Sequence, residues 1–241
     1  MRQKITSFKT RGDNMQILDL YCGMGGLSLG FALALRDAEI TGLDIDRDAV
    51  ETYNLNLNRF RARAYVQDVI KWKPEGDYDV VIGGSPCQPF SRANVKNPGE
   101  KHPLFPTFPR FFDIVLELKP KAFLLENVKG LTTKRFRRYL DRELSRISRA
   151  YVAEWRVLNA VNYGVPQKRE RLIIVGVRRD LGLRPSFPKT THGEKSWITL
   201  REAIGDLLAL PPAKENITKP IAPDHVMTPE GGWDNPRSGI Q

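Results

Sequence analysis

Residues 15–31 read "MQILDLYCGMGGLSLGF". An apolar run of β character ends at Gly23, Gly25 and Gly26, and a segment of helical period follows. The chain therefore turns sharply from strand into helix, at a place where backbone without Cβ atoms can approach a ligand closely. The same alternation continues to about Val177. Short strands are predicted at "AEITGLDID" (38–46), "RAYVQD" (63–68), "YDVVIGG" (78–84), "AFLLEN" (122–127), "AEWRVLNA" (153–160) and "RLIIVGVRR" (171–179). Helices are predicted over 26–36, 47–57, 107–119, 130–148 and the segment "TLREAIGDLLAL" (199–210). Strands alternating with helical segments predict an α/β fold, a parallel sheet covered by helices. Asp46 is placed to cap the second helix, and Pro120 forbids continuation of the third.

The chain has 241 residues, 41% of them hydrophobic, enough for one large core. Three stretches are expected: a basic N-terminal extension at 1–14, a catalytic domain at 15–210, and an irregular tail at 211–241 with no periodic apolar pattern. No run of about eighteen apolar residues occurs, and the polar start lacks an apolar signal core, which predicts a cytosolic protein. The two cysteines, Cys22 and Cys87, lie far apart with no CxxC or Cys/His cluster, so neither a disulfide framework nor a metal site is expected. Thirty-eight Lys and Arg against twenty-eight Asp and Glu give a formal charge of +10, which points to a polyanion partner.

The glycine turn is not a dinucleotide fingerprint, because the third glycine of GxGxxG would fall at Ser28. The second strand ends at Asp44, where a carboxylate can accept both hydroxyls of a ribose. Asp68 follows the third strand and can take an adenine amine. Strand ends at one sheet edge then form a nucleoside site without a pyrophosphate cradle, as S-adenosylmethionine requires.

Cys87 follows the fourth strand in "GGSPCQPFS" (83–91), a turn stiffened by Pro86 and Pro89. A buried small hydrophobe is the ordinary role of such a residue. An ordinary thiol is only a few per cent thiolate at neutral pH, so a catalytic one needs positive charge or a proton acceptor nearby. "LLENV" sets Glu126 and Asn127 at the neighbouring strand end. There a semi-buried, protonated Glu126 would donate to a ring nitrogen. In "VNYGVPQKRERLIIVG", Gln167, Arg169 and Arg171 alternate at strand period, which predicts all three on one face of the last strand.

In this order and at these spacings, "DLYCGMGG", "GGSPCQPFS", "ENV" and "QKRERLIIVG" resemble the signature blocks of the DNA (cytosine-5)-methyltransferases, over roughly Met15 to Leu210. The resemblance implies a Rossmann-like methyltransferase fold, a mostly parallel seven-stranded sheet with an antiparallel last strand inserted beside the fifth. It implies that Tyr21, Gly23, Gly25 and Gly26 hold S-adenosyl-L-methionine, with Asp44 on the ribose, Ile45 over the adenine, and Asp68 with Val69 at its edge. Cys87 matches the nucleophile, Glu126 the ring-protonating acid, and Arg169 and Arg171 the phosphate- and base-contacting arginines. Pro86, Gln88, Ser91, Asn127 and Gln167 are implied at the substrate, and the polar loop from Ser91 to Lys101 is the segment that would close over a flipped base. Double-stranded DNA is the implied partner, with no membrane and no metal. The family continues with a target-recognition region, an Arg-containing block and a Gly-Asn segment that returns to the cofactor. Nothing after Leu210 matches these, which predicts a fragment or the catalytic subunit of a split enzyme, with a second polypeptide supplying the rest. The competing readings are an RNA cytosine-5 methyltransferase and a catalytically silent DNA-binding relative.

Overall fold

The structure is a computed structural model in which residues 14–209 are described, except 92, 93 and 95. Nearly all of the expected N-terminal extension and the whole of the expected tail lie outside the described residues. The chain forms two units. The first is made of residues up to Asn159 together with Glu170–Lys189, and the second of Ala160–Arg169 with the residues from Thr190 onward.

The first unit is built on seven strands: β1 (Gln16–Leu20), β2 (Glu39–Asp44), β3 (Ala62–Val66), β4 (Val80–Gly83), β5 (Ala122–Val128), β6 (Tyr151–Asn159) and β7 (Glu170–Arg178). They pair in the order β3-β2-β1-β4-β5-β7-β6. The pairs β2–β3, β1–β2, β1–β4 and β4–β5 are parallel. β7 runs antiparallel to both β5 and β6, between which it is inserted. This is the sheet the family resemblance implies, with its antiparallel strand inserted beside the fifth.

Neighbouring residues of each central strand pack into different cores. Leu18, Val81 and Phe123 belong to one cluster, whereas Ile17, Ile82 and the partly buried Leu124 belong to another. A parallel strand must be apolar on both faces because helices cover both. α1 (Gly26–Ala34) packs on the Ile17 side, and α2 (Arg47–Asn56) supplies Val50 and Tyr53 to a third cluster. α3 (Thr107–Leu118) buries Phe108, Phe111, Phe112 and Val115 on the other face, at the three- and four-residue spacing of one helical stripe. Asp46 caps α2 as predicted, its Oδ1 accepting the amides of Asp48 and Ala49. α3 stops at Lys119 in a left-handed conformation (φ 51°), directly before Pro120.

Two expected helices are shorter than their periodic patterns. Over 130–148 the chain forms a 3-10 turn, Lys129–Thr132, and only then α4 (Arg137–Ile147). Thr132 and Thr133 donate their hydroxyls to the carbonyls of Lys129 and Gly130, a local bonding that competes with helix. In the second unit α5 is only Leu200–Ile204, opened by a Thr199–Glu202 capping box, and Gly205 begins a 3-10 segment.

Beneath the sheet's α3 side lies an aromatic cluster. Phe90 meets Phe105, Phe108 and Phe136 edge to face at 5.2–6.0 Å between ring centroids. Phe123 meets Phe111, Phe112 and Tyr151 in the same way. Gly176, directly across from Phe123 in the β5–β7 register, leaves the room that ring occupies; a Cβ there would run into the ring. Gly176→Ala is therefore expected to lower stability by about 1–3 kcal/mol through overpacking. Urea denaturation of the purified chain checks this, and an unchanged midpoint would mean that Phe123 swings aside freely.

Candidate active site

The strand registers decide what stands together. Tyr65, Leu43, Leu20, Gly83 and Leu125 form one row across β3, β2, β1, β4 and β5. One residue beyond it, at the carboxyl edge, come Asp44, Tyr21, Gly84 and Glu126. Asp44 and Glu126 are three strand spacings apart, roughly 14 Å, a span that separates a nucleoside end from a reacting end.

On the left half of that edge the turn after β1 is held in an unusual backbone shape. Tyr21, Gly23 and Gly25 all have positive φ (59°, 52° and 92°). Asp44 pins the turn from the side: its Oδ2 accepts the Gly23 amide at 2.8 Å while Oδ1 accepts the Asp46 amide at 3.0 Å. Cβ atoms at Gly23 and Gly26 would meet nothing within 4 Å, so open space borders the turn. Ile45 (68% exposed) and Met24 (65%) leave apolar surface beside it. A carboxylate at a strand end, open glycine backbone and uncovered apolar side chains fit a nucleoside with an amino-acid tail, the parts of S-adenosylmethionine. Tyr21 is anchored by its hydroxyl, which donates to the Thr107 carbonyl of α3.

Asp68 accepts the Ile70 amide at 2.9 Å and stands 3.6 Å from the Lys71 ammonium. The Val69 side chain is buried and its carbonyl accepts from Arg110 of α3, so what it offers beside Asp68 is its main chain.

On the right half, Cys87 is exposed, at the start of a 3-10 turn, Gln88–Phe90. Two anchors hold it from below. Phe90 is fully buried in the aromatic cluster, and its amide donates to the Cys87 carbonyl at 3.0 Å. Gly130 passes so close to the Phe90 carbonyl that a Cβ would collide with it. On the other side, Asn127 donates through Nδ2 to the Ser85 carbonyl (3.1 Å) and hydroxyl (3.0 Å), and its Oδ1 accepts the Val128 amide at 2.8 Å. Pro86 is half-buried, Gln88 is exposed and Ser91 is half-buried. Asn127 is fully buried. This corrects its expected place at the substrate, since the side chain faces inward and fastens the Cys87 turn to the end of β5.

The rival thiol is out of play. Burial pushes Cys22 up well beyond an ordinary thiol, with Asp19 and Asp44 adding to the effect, and its Sγ packs under Gly42.

Glu126 forms an ion pair with Arg171 across the antiparallel β5–β7 pair, Oε1 to Nε 2.7 Å, each side chain about a quarter exposed (27% and 26%). The surroundings of this carboxyl are therefore not wholly apolar, since a guanidinium stands beside it. Gly84 stands beside this carboxyl, a Cβ there falling at an ordinary contact distance of 3.4 Å from Glu126 Oε2.

Gln167 and Arg169 are not on the last strand, which begins at Glu170. They belong to the second unit, where the Gln167 amide bonds back to the Val165 carbonyl and the Ala160 amide to the Arg169 carbonyl. Pro166 has no amide to give a ladder, so strand-like alternation in the sequence becomes a turn. Only Arg171 of the three lies in β7. In the polar loop, Asn94 ties the chain by donating to the Gln88 and Asn97 carbonyls. Among the described residues no group of His, Cys, Asp and Glu could hold a metal ion, and no helix is long and apolar enough to cross a membrane.

Three residues escape the sequence reading: Ser85, Arg110 and Asp19. Arg110 ties α3 to the segment after β3 through the carbonyls of Val69 and Trp72. Asp19 carries a signal that could have found it, an acid in the middle of the apolar run "QILDL".

A family model, C-5 cytosine-specific DNA methylase, matches residues 15–232. The Type II methyltransferase M.BspRI of Lysinibacillus sphaericus is 33% identical over 232 residues, covering 82% of this chain and 53% of its own length. The Type II methyltransferase M.MthTI of Methanothermobacter thermautotrophicus is 39% identical over 212 residues, covering 84% and 60%. Among solved structures, a chain encoded within an E. coli prophage matches with TM-score 0.65 and 29% identity over 79% of this chain and 54% of its own. A DNMT2 mutant of Spodoptera frugiperda matches with TM-score 0.59 and 25% identity over 74% and 57%. The chain spans about half the length of the curated relatives it matches.

Removing the Asn127 amide strands the Ser85 carbonyl and the Val128 amide in a buried place. Asn127→Ala is expected to cost about 1–3 kcal/mol. Chemical denaturation measures it, and a loss below the scatter of repeat curves would mean the strand ends hold together without this side chain.

Proposed function

The chain belongs to the C-5 cytosine-specific DNA methylase family, and from that premise we propose that it transfers a methyl group from S-adenosyl-L-methionine to C5 of cytosine in double-stranded DNA through a covalent Cys87 adduct. The observation that carries this reading is the mounting of Cys87: an exposed thiol on a turn anchored by Phe90 and by Ser85–Asn127, beside a strand end that presents Glu126.

Cytosine C5 is a poor nucleophile. Thiolate addition at C6 makes the ring enamine-like and directs its electrons to C5, after which loss of the C5 proton lets the thiol leave. When bound, S-adenosylmethionine supplies the electrophilic methyl. Glu126 stands to hydrogen-bond the ring at N3. In the free protein its partner is Arg171, so a base arriving with a shared proton replaces or joins that guanidinium. Arg171 then serves to orient the carboxyl, and the developing charge on the ring is met by fixed groups. Asp44, already bonded to Gly23, is suited to the ribose, with Asp68 at the adenine edge. A base stacked in a duplex cannot reach Cys87, so the target must swing out at a cost of about a few kcal/mol.

Within this reading a target-recognition region and a Gly-Asn segment complete the enzyme, carried either by further sequence of the same polypeptide or by a second one. Support comes from the relatives, of whose length this chain spans about half.

Cys87→Ser is expected to abolish covalent trapping on 5-fluorocytosine DNA while leaving S-adenosylmethionine affinity within about twofold, since the nucleophile faces the base rather than the cofactor. Trapping that persists in the serine variant would remove Cys87 from its role. Glu126→Gln keeps the shape and loses the acid, so single-turnover methylation should fall by about 100-fold or more. Normal turnover would place ring activation elsewhere. Tritiated methyl incorporation into mixed-sequence DNA should be negligible with the chain alone and rise when the adjacent reading frame's product is added. Robust site-specific incorporation by residues 1–241 alone refutes the need for any further recognition region, in this polypeptide or a second one.

A further inference from the structure

Asp19 sits mid-strand in β1, and no step of the proposed methyl transfer uses it. Its side chain is fully buried, on the Ile17 face that α1 covers. Oδ2 accepts the Ser28 hydroxyl at 2.6 Å, and among the described residues Oδ1 has no hydrogen-bond partner. α1 has no cap of its own, since Gly25 at its start carries no side chain. The strand before the turn therefore ties down the first turn of the helix after it through the Ser28 side chain, and the Asp19–Ser28 pair closes a loop of chain whose Tyr21, Gly23 and Gly25 all sit at positive φ. The turn is held at two points, by Asp44 at Gly23 and by Asp19 underneath.

The groups that face this carboxyl offer it no cation. Ser28 comes from α1, Cys22 from the turn, and Tyr53, with its hydroxyl buried, from α2. The charged neighbour that acts on it is a second carboxylate, Asp44 of β2. We propose that Asp19 is a positioning residue for the cofactor turn that works as a neutral acid: uncharged it holds Ser28 and the start of α1 in place, and on losing its proton it releases the turn and weakens S-adenosylmethionine binding. This rests on reading the turn as the cofactor site.

Burial pushes the carboxyl up to about 7, outweighing the Ser28 hydroxyl and amide, which pull it down. The sign follows. In the closed turn the proton stays on through mildly acid pH, whereas a released, hydrated Asp19 returns toward its ordinary value of 3.8 and gives it up. The closed form is favoured at low pH, and that advantage drains away as pH rises through the acid range and is gone above about 7.

The test is a titration of the full chain with S-adenosylmethionine across about pH 6 to 8.5, for the wild type, Asp19→Asn and Ser28→Ala. The wild-type Kd is expected to weaken about tenfold over that range and the Asp19→Asn Kd by no more than about twofold. The ligand's own α-amino group titrates near 7.7–8.0, but it acts alike on both proteins and cancels in the comparison. Ser28→Ala removes a bond that favours the charged acid, so its fall should move to higher pH, and this variant decides the matter if Asp19→Asn does not fold. A merely structural Asp19 would move the melting midpoint and leave the Kd profiles of wild type and Asp19→Asn parallel; parallel profiles overturn the proposal, as does an unmoved fall in Ser28→Ala. Absence of binding by the wild type even near pH 6 refutes the cofactor reading itself, and this inference with it.

Discussion

Parallel pairing of β2, β1, β4 and β5 is the constraint on which the rest depends. It brings four strands to one edge in a fixed row, so that Asp44, the glycine turn, the Cys87 turn and Glu126 are presented side by side although they are spread over more than eighty residues of sequence. An antiparallel arrangement would send alternate strand ends to opposite edges and separate the thiol from the carboxyls. Parallel strands in turn require crossover helices and two apolar faces. The edge that carries Asp44, Cys87 and Glu126 and the double-sided core are therefore consequences of one choice of pairing.

Reactive groups at that edge are polar, but what fixes them is apolar. Phe90 stakes the Cys87 turn into a cluster of edge-to-face rings, and Gly130 and Gly176 clear space for the Phe90 carbonyl and the Phe123 ring. The charge balance needs similar care. A formal +10 suggests an open basic surface. Yet Arg137, Arg142 and Arg146 of α4 are engaged with Asp141, Glu100, Glu143 and Asp113. The pairs with Asp141, Glu100 and Asp113 are exposed and add little stability, about 0–1 kcal/mol each, whereas Glu143 is buried; all of them subtract cations from those available to a phosphate backbone. Net charge alone overstates how basic the α4 surface is.

The sequence made the strand ends legible because each apolar run stops abruptly: "YDVVIGG" and "AFLLEN" mark where β4 and β5 finish, and hence where Cys87 and Glu126 stand. It made the inserted antiparallel strand legible only through family resemblance, since a period of two carries no direction. Other features were hidden for physical reasons. The alternation of Gln167, Arg169 and Arg171 looks like strand, but Pro166 cannot join a ladder and the first two residues fold into a turn. The Val69 pattern gives no sign that its side chain turns into the core while Arg110 takes its carbonyl. Thr132 and Thr133 shorten the fourth helix through side-chain bonds that a hydrophobic period does not register. Asp19 was visible as an acid among apolar residues, but its meaning depends on Ser28, nine residues later, lying directly over it.

Glu126 and Asn127 illustrate why two adjacent polar residues are needed where β5 ends. Successive side chains on a strand point to opposite faces, and the burial of β5 alternates accordingly, with Asn127 buried and Glu126 half-buried. Asn127 therefore turns to the side where Ser85 lies and binds the β4 end to the β5 end. Glu126 turns to the other, where Arg171, two residues along from Ile173 in β7, meets it at 2.7 Å. One residue fastens the turn that carries the thiol, and the next presents a carboxylate from the same rigid piece of backbone. Exchanging the two would put a charge where two neutral acceptors wait in a fully buried site and an amide where a guanidinium needs a counter-charge. The order Glu-Asn is thus set by which face of β5 each neighbour occupies.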